Sequence, residues 1–522
     1  MKSFWMMFVL SGLKSFFDFF CKEMKKIVFF KDEIFINRWS IMKKIILYLL
    51  ILVPVFGFSL EKSIPKDSYY FGFSLNQKKM KSAFQKILMQ NVYQMALKEM
   101  ASASVEEIGF DFINGPMESI GLDPKGYFEI IFNEEKDSGV ILLTAANSKD
   151  FIAGIKKSLS KKWGKVEESN EGNFKKIFTK NPSYSYQSFY YYTKSSTQII
   201  LSDRAEHLKD FQESQKEDLT SSLYDTFVKE VEEKNPLFFF YVQNNPQFQQ
   251  MFSLPKEITV FEKALGFVDI ENKKLNLAVY LDNPDKKNLE MNLPGFLKDN
   301  PLLFLFTDFN PQVLESLGKN MGDPELDMMM GSLNLSQSLG DRAFFIVNDL
   351  NYMEIMQGSF QNLLMGAGFL VKDSMPYKNL FEMLLGQLAL GGKNAEMPKG
   401  GKENFNNLTI YKVENLKTDF SPIGMNFYAA ILGDYVIVSI NKDYLKKMIQ
   451  NYTDQKMQLQ FPVSESNLFF FMNCKEIVRK VSMLAMLQQQ GVNVNNFEYF
   501  YGKVEKSTSD YIKMMFTFSF MN

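Results

Sequence analysis

A single histidine stands among 522 residues, and its setting is the first place to look for chemistry. His207 closes the run Ser202-Asp203-Arg204-Ala205-Glu206-His207. A hydroxyl, a carboxylate and an imidazole are the three groups of a serine-hydrolase relay, provided the imidazole lies between nucleophile and acid. The matching place 237 residues further on holds Tyr444, so the position reads as packing or surface rather than catalysis. Ser158-Leu159-Ser160-Lys161 has the Ser-x-x-Lys spacing of acyl-transfer enzymes, but the companion Ser-Asp-Asn and Lys-Thr-Gly motifs are absent from the sequence. Gly391-Gly392-Lys393 and Gly400-Gly401-Lys402 lack the spacing of a phosphate loop. Asp327 with Met328, Met329 and Met330, and Met483 with Met486, are soft donors of the Cu(I) type. With no His or Cys beside them they read as core. Glu134-Glu135 and Glu232-Glu233 are adjacent in sequence, which says nothing of convergence in space. No catalytic residue, metal site or cofactor is expected.

The elements that would have to position such groups come from the rest of the composition. Apolar residues make up 46% and charged residues 23%, a globular balance. Phe is abundant at 52 and Met at 31, and the net charge is −1. Arg occurs only at positions 38, 204, 342 and 479, too sparse for the guanidinium forks of a phosphate reader, so no nucleic-acid partner is expected.

Met42-Lys43-Lys44, the apolar run Ile45–Phe58 and the small residues Gly57 and Ser59 read as a signal peptide over 42–59, cut before Leu60. Residues 1–41 are then an upstream leader or mis-start outside the fold. Residues 1–59 carry 9 Lys/Arg and 4 Asp/Glu, so the remainder has 50 against 56, a net of −6. Cys474 is the only cysteine left after the cut, which forbids an internal disulfide. Membrane association is expected only through an uncleaved signal segment.

The chain also repeats itself. Asp67–Phe73 matches Asn300–Phe306, and Asn235–Tyr241 matches Ser466–Met472, at offsets of 233 and 231. Ile177-Phe178 matches Ile410-Tyr411, Ser148–Phe151 matches Tyr377–Leu380, Ile200–Ser202 matches Ile437–Ser439, and Phe261-Glu262 matches Phe497-Glu498. Six matches in one order, at offsets of 229–237, predict two homologous lobes, 60–294 and 295–522.

Each lobe reads as an aromatic strand, a helix, a hairpin, a second helix and further strands. In the first lobe Met80, Phe84, Ile87, Leu88 and Met95 follow helical spacing. Tyr127–Phe132 and Val140–Thr144 form a hairpin, and Asn147 or Ser148 caps a helix over 149–159. Glu213–Glu233 reads as a charged surface helix and Lys393–Asn407 as a polar loop. The expected fold class is α+β: two tandem lobes, each a mainly antiparallel sheet with helices packed on it. The strand–helix–hairpin order, the Asn147–Phe151 helix start and the Tyr435–Ser439 strand before a Leu-containing helix resemble a broad group of exported bacterial proteins of unknown function, built from tandem α+β modules. No functional residues are established for that group, so the resemblance implies none.

The aromatic excess is the one positive clue. Phe238, Phe239 and Phe240, like Phe469, Phe470 and Phe471, are consecutive, so each triplet puts large apolar groups on both faces of a strand. Either both faces are covered, or one lines an apolar cleft. The sequence therefore predicts an exported, non-enzymatic protein of the periplasm or cell envelope that binds or supports other envelope proteins. A second reading is a carrier or chaperone for lipids or other hydrophobic ligands, with the six Phe as the cleft. A third is an extracytoplasmic hydrolase using unidentified carboxylates. Tyr511–Phe520 alternates as the last strand of an outer-membrane barrel would, but long helical stretches such as 78–100 argue against that architecture.

Overall fold

The structure, a computed structural model, describes residues 63–65, 68–76, 110–243, 263–282, 297–308, 335–390, 398–480 and 497–520, apart from short interruptions within those ranges. The signal segment, the leader, the 78–100 helix, the Glu134-Glu135 turn and the Met328–Met330 and Met483/Met486 groups lie outside the described residues. The described chain falls into two compact units. The first holds residues up to 282 together with 497–498 and 504–520, and the second holds 297–480 together with 499–503.

The first unit runs β1 (Ser63–Pro65), β2 (Ser68–Ser74), β3 (Tyr127–Asn133), β4 (Ser138–Thr144), α1 (Ser148–Trp163), β5 (Val166–Glu171), β6 (Phe174–Thr179), β7 (Ser188–Thr193), β8 (Gln198–Ser202), α2 (Ala205–Glu213), β9 (Lys216–Asp218), α3 (Ser222–Lys234), β10 (Phe238–Gln243), β11 (Lys263–Glu271) and β12 (Lys274–Asp282). The second runs β13 (Leu303–Asp308), β14 (Leu339–Asp349), β15 (Leu364–Val371), α4 (Met375–Leu390), β16 (Lys399–Phe405), β17 (Leu408–Thr418), β18 (Ser421–Leu432), β19 (Tyr435–Ser439), α5 (Lys442–Asp454), β20 (Leu468–Met472) and α6 (Cys474–Lys480). Two long strands follow, β21 (Phe497–Ser507) and β22 (Tyr511–Phe520).

Side by side, the first unit's strands lie in the order β5-β6-β7-β8-β4-β3-β2-β10-β11-β12-β22, every pair antiparallel. Those of the second lie in the order β16-β17-β18-β19-β15-β14-β13-β20-β21, again all antiparallel. Each unit thus pairs its strands in the same order, with β16 in the place of β5, β13 in that of β2 and β20 in that of β10. β1 and β9 form a separate two-stranded ribbon.

This corrects the expected α+β class. The described fold is mainly β: the strands of each unit are paired antiparallel, 11 in the first order and 9 in the second, with helices as the minor component. Two kinds of strand escape a reading based on apolar alternation. β5 (Val-Glu-Glu-Ser-Asn-Glu) and β16 (Lys-Gly-Gly-Lys-Glu-Asn-Phe) pair on one side only among the described strands and carry charge where an inner strand carries Val or Ile. β16 lies within the stretch read as a loop. It turns into β17 through Asn406 and Asn407, both at positive φ (48° and 63°), the signature of a type I′ hairpin. β17 and β18, at 11 and 12 residues, are also longer than their apolar runs suggest.

The elements around the core form for local reasons. Asn147 caps α1, its side chain accepting from the backbone N–H of Lys149 and Asp150. One face of α1 then buries Phe151, Ile152, Leu159 and Trp163, and Trp163 stacks on Phe189 of β7 at 5.6 Å. α3 carries the charge expected of Glu213–Glu233 on one side only. Its Leu223, Tyr224, Phe227 and Val231 are buried in the first unit's core with Tyr70, Tyr127, Phe239, Phe267 and Tyr280. In the second unit Phe304, Phe344, Ile437, Tyr444, Leu445 and Phe471 form one cluster. Tyr377, Leu380 and Phe381 of α4 form another with Tyr411 and Val436.

Candidate functional site

The six candidate Phe divide between two environments. Phe239 is 1% exposed, edge-on to Tyr70 at 5.4 Å and Tyr127 at 5.1 Å. Phe471 is 0% exposed and packs on Phe461 and Tyr499. These two rings are core. Phe238 and Phe240 are half-buried on the opposite face of β10, 5.7 Å apart, with Phe71 stacked on Phe238 at 6.3 Å. Phe469 and Phe470 are likewise half-buried on β20, where Phe470 meets Phe500 at 4.9 Å.

Glycines make room for these rings. Phe239 stands directly opposite Gly72, and a Cβ on Gly72 would fall inside the ring. Phe240 stands opposite Gly266 and covers it in the same way, while Phe469 lies over Gly502. A flat ring laid across a bare backbone is a recurring means of packing strand aromatics.

Register extends the half-buried side of β10 into a broad apolar face of the first unit. One row across the strands is Phe238, Val268, Leu277 and Phe516. The next is Phe71, Phe240, Gly266, Val279 and Met514, and a third is Ile270, Leu275 and Phe518. All but the glycine are half-buried, and no charged side chain interrupts the rows. Alternation sends the polar residues of the same strands to the other side, among them Asp269, Asn276, Lys513 and Thr517. There Lys513, nearly buried, pairs with Glu230 of α3 at 2.7 Å and Glu505 at 2.8 Å, and Thr517 donates to Asn276 at 2.9 Å. The second unit carries a comparable face: Leu305, 41% exposed, lies opposite Phe470 and beside Phe345, and Met472 lies opposite Phe500. Residue counts alone do not reveal these faces, because they arise from five strands in register. The legible signal was β22 itself, whose alternate residues are Ile512, Met514, Phe516 and Phe518.

The groups with reactive side chains are held in other work. Ser202 Oγ donates to the carbonyl of Gly139 at 2.9 Å, with Asp203 Oδ1 at 3.3 Å and His207 Nδ1 at 3.2 Å. Ser439, at the end of β19, donates to the carbonyl of Met365 at 2.7 Å with no histidine near. The serine therefore ties its strand end to the neighbouring strand in either unit, and the imidazole is incidental to that bond. His207 pairs with Asp203 at 3.3 Å and holds that carboxyl below the usual range. Ser158 is buried while Lys161 is exposed, so the two share no site. Gly400, Gly401 and Lys402 lie in β16. Burial pushes the Cys474 thiol up to about 12, leaving almost no thiolate near neutrality. Tyr70 donates to the buried Glu129 at 2.6 Å, inside the core.

Among the described residues no helix is long and apolar enough to cross a membrane. No protein-family model and no curated protein matches the chain. Among solved structures, crystal forms I and III of TP0453 align at a TM-score of 0.26 and 7% identity. They cover 44% and 43% of this chain and 82% and 80% of the other. Likeness at that level is too slight to assign a fold or a role.

Proposed function

We infer that the chain is an exported, non-enzymatic binding protein of the cell envelope whose working surface is the apolar sheet face of the first unit. The observation that carries this is the three uninterrupted rows on β2, β10, β11, β12 and β22. A soluble sheet normally alternates polar residues toward water. One that turns Phe71, Phe238, Phe240, Leu277, Phe516 and Phe518 outward is suited to an apolar partner. The signal-like residues 42–59 support export, and the engagement of Ser202, His207 and Cys474 supports a role without chemistry. The mixed charge and four Arg speak against nucleic acid. The rows run across five strands, which favours an extended apolar surface of another envelope component over one acyl chain.

The test is binding of the fluorophore 1-anilinonaphthalene-8-sulfonate to the folded protein, compared with the double variant Leu277→Glu, Phe516→Glu. Both side chains lie in one row, directly opposite each other. The expected result is strong enhancement with the parent protein and at least a tenfold loss of affinity in the variant at unchanged circular dichroism. Absence of binding by the parent protein would refute the reading. Native mass spectrometry of the same preparation separates the carrier alternative, which requires co-purified lipid mass.

A further inference from the structure

We propose that the single histidine helps hold a structural water in a polar cavity of the first unit, at a site bounded by Ser68, Asn133, Ser138, His207 and Asp210. The cavity has room for about one water molecule and is lined on its apolar side by Ile131, Val140 and Phe211. Ser68, Asn133 and Ser138 form one polar row across β2, β3 and β4, each opposite the next. Ser68 is 1% exposed, and its hydroxyl has no hydrogen-bond partner among the described residues. A buried hydroxyl left unpaired is costly, and an occupant that accepts from it removes the cost.

His207 supplies the second contact. Its Nδ1 faces the Asp203 carboxylate, an acceptor, so in the neutral ring Nδ1 carries the proton and Nε2 is left as an acceptor. Nε2 has no protein partner among the described residues. A water that accepts from Ser68 and donates to Nε2 and the Asp210 carboxylate makes three hydrogen bonds, the usual number for a buried water. In the second unit Tyr444, five residues after Ser439 as His207 is five after Ser202, extends its hydroxyl to Asn348 Oδ1 at 2.5 Å.

An atomic-resolution crystal structure of the full chain, paired with melting of Ser68→Val, tests this. The expected results are an ordered water within hydrogen-bond distance of Ser68 Oγ and His207 Nε2, and a Tm lowered by about 2–4 °C in the variant, since valine displaces the water and replaces none of its bonds. His207→Tyr, which imports the second unit's residue, should retain the fold and lose the water peak. An empty cavity in the parent structure, or a higher Tm for Ser68→Val because a dry gap has been filled, would overturn the proposal.

Discussion

Adding one methyl group at Gly72 and, separately, at Gly502 distinguishes a ring locked in a core from a ring on an open face. At Gly72 the new Cβ falls inside the ring of Phe239, which Tyr70, Tyr127 and Phe227 surround with ring centroids 5.1–6.5 Å away. The ring has nowhere to go, so either the strands part or Phe239 leaves its site. Overpacking a core costs about 1–3 kcal/mol, and expelling a buried Phe approaches the ~3–5 kcal/mol of deleting it. Replacing glycine returns about 0.4–1 kcal/mol by narrowing the unfolded ensemble. The balance is a loss of about 3 kcal/mol, or about 6–12 °C in Tm for a domain of this size. At Gly502 the new Cβ stands 2.7 Å from the tip of Phe469, a half-buried ring on the outer face that can swing aside. There the change should cost less than about 1 kcal/mol. Urea denaturation of Gly72→Ala and Gly502→Ala, each with its m-value, measures the difference. Phe239→Leu should recover part of the Gly72→Ala loss in a double-mutant cycle. Equal losses at the two glycines, or no coupling to Phe239, would refute the division of the Phe triplets into core and face.

Tyr70→Phe removes the 2.6 Å hydrogen bond to the buried Glu129 and should cost about 1.5–3 kcal/mol by chemical denaturation. Asn147→Ala uncaps α1 and should cost about 1 kcal/mol, read as a shift in urea midpoint at constant m. Lys442 and Lys446 hold the Glu403 carboxyl down to about 2 from an ordinary 4.5. A depressed carboxyl stabilises the fold above its unfolded value and loses that contribution as pH falls from 4.5 toward 2. The Tm gap between parent and Glu403→Gln should therefore be small but present at pH 7 and vanish near pH 2. In a Cys21→Ser background, Cys474 should resist a thiol reagent at pH 8 in the folded protein and react within seconds once unfolded, as counted by absorbance.

Much of this architecture is written in local letters. The capped helix at Asn147, the β11–β12 hairpin and the strands around Ile177 and Ile200 all lie where their apolar spacing places them. The faces of the aromatic strands do not follow from letters. Matching Leu237–Tyr241 to Leu468–Met472 pairs Phe239 with Phe470, one a core ring and the other on the outer face. Cross-strand pairing keeps the match of letters: Tyr241 lies opposite Tyr70, and Met472 opposite Leu303, the residue that matches Tyr70. β20 nonetheless carries a register shift against β21 between Leu468 and Phe470, and beyond it the buried side falls on Phe471 rather than Phe470. The polar cavity was invisible for a related reason: Ser68, Asn133 and Ser138 are unremarkable in sequence and meet only through strand pairing.

The pairing of β12 with β22 also sets a schedule. Asp282 and its cross-strand neighbour Tyr511 are 229 residues apart. At about 5–20 residues per second, a ribosome makes one strand roughly 10–50 s before the other. For that interval β12 has a free edge beside a greasy surface, and the first unit lacks its last strand. Closing so large a loop is also intrinsically slow. Folding of the first unit is thus a late event that waits for distant sequence, and a chain still being threaded or escorted by a holding chaperone loses nothing by the delay.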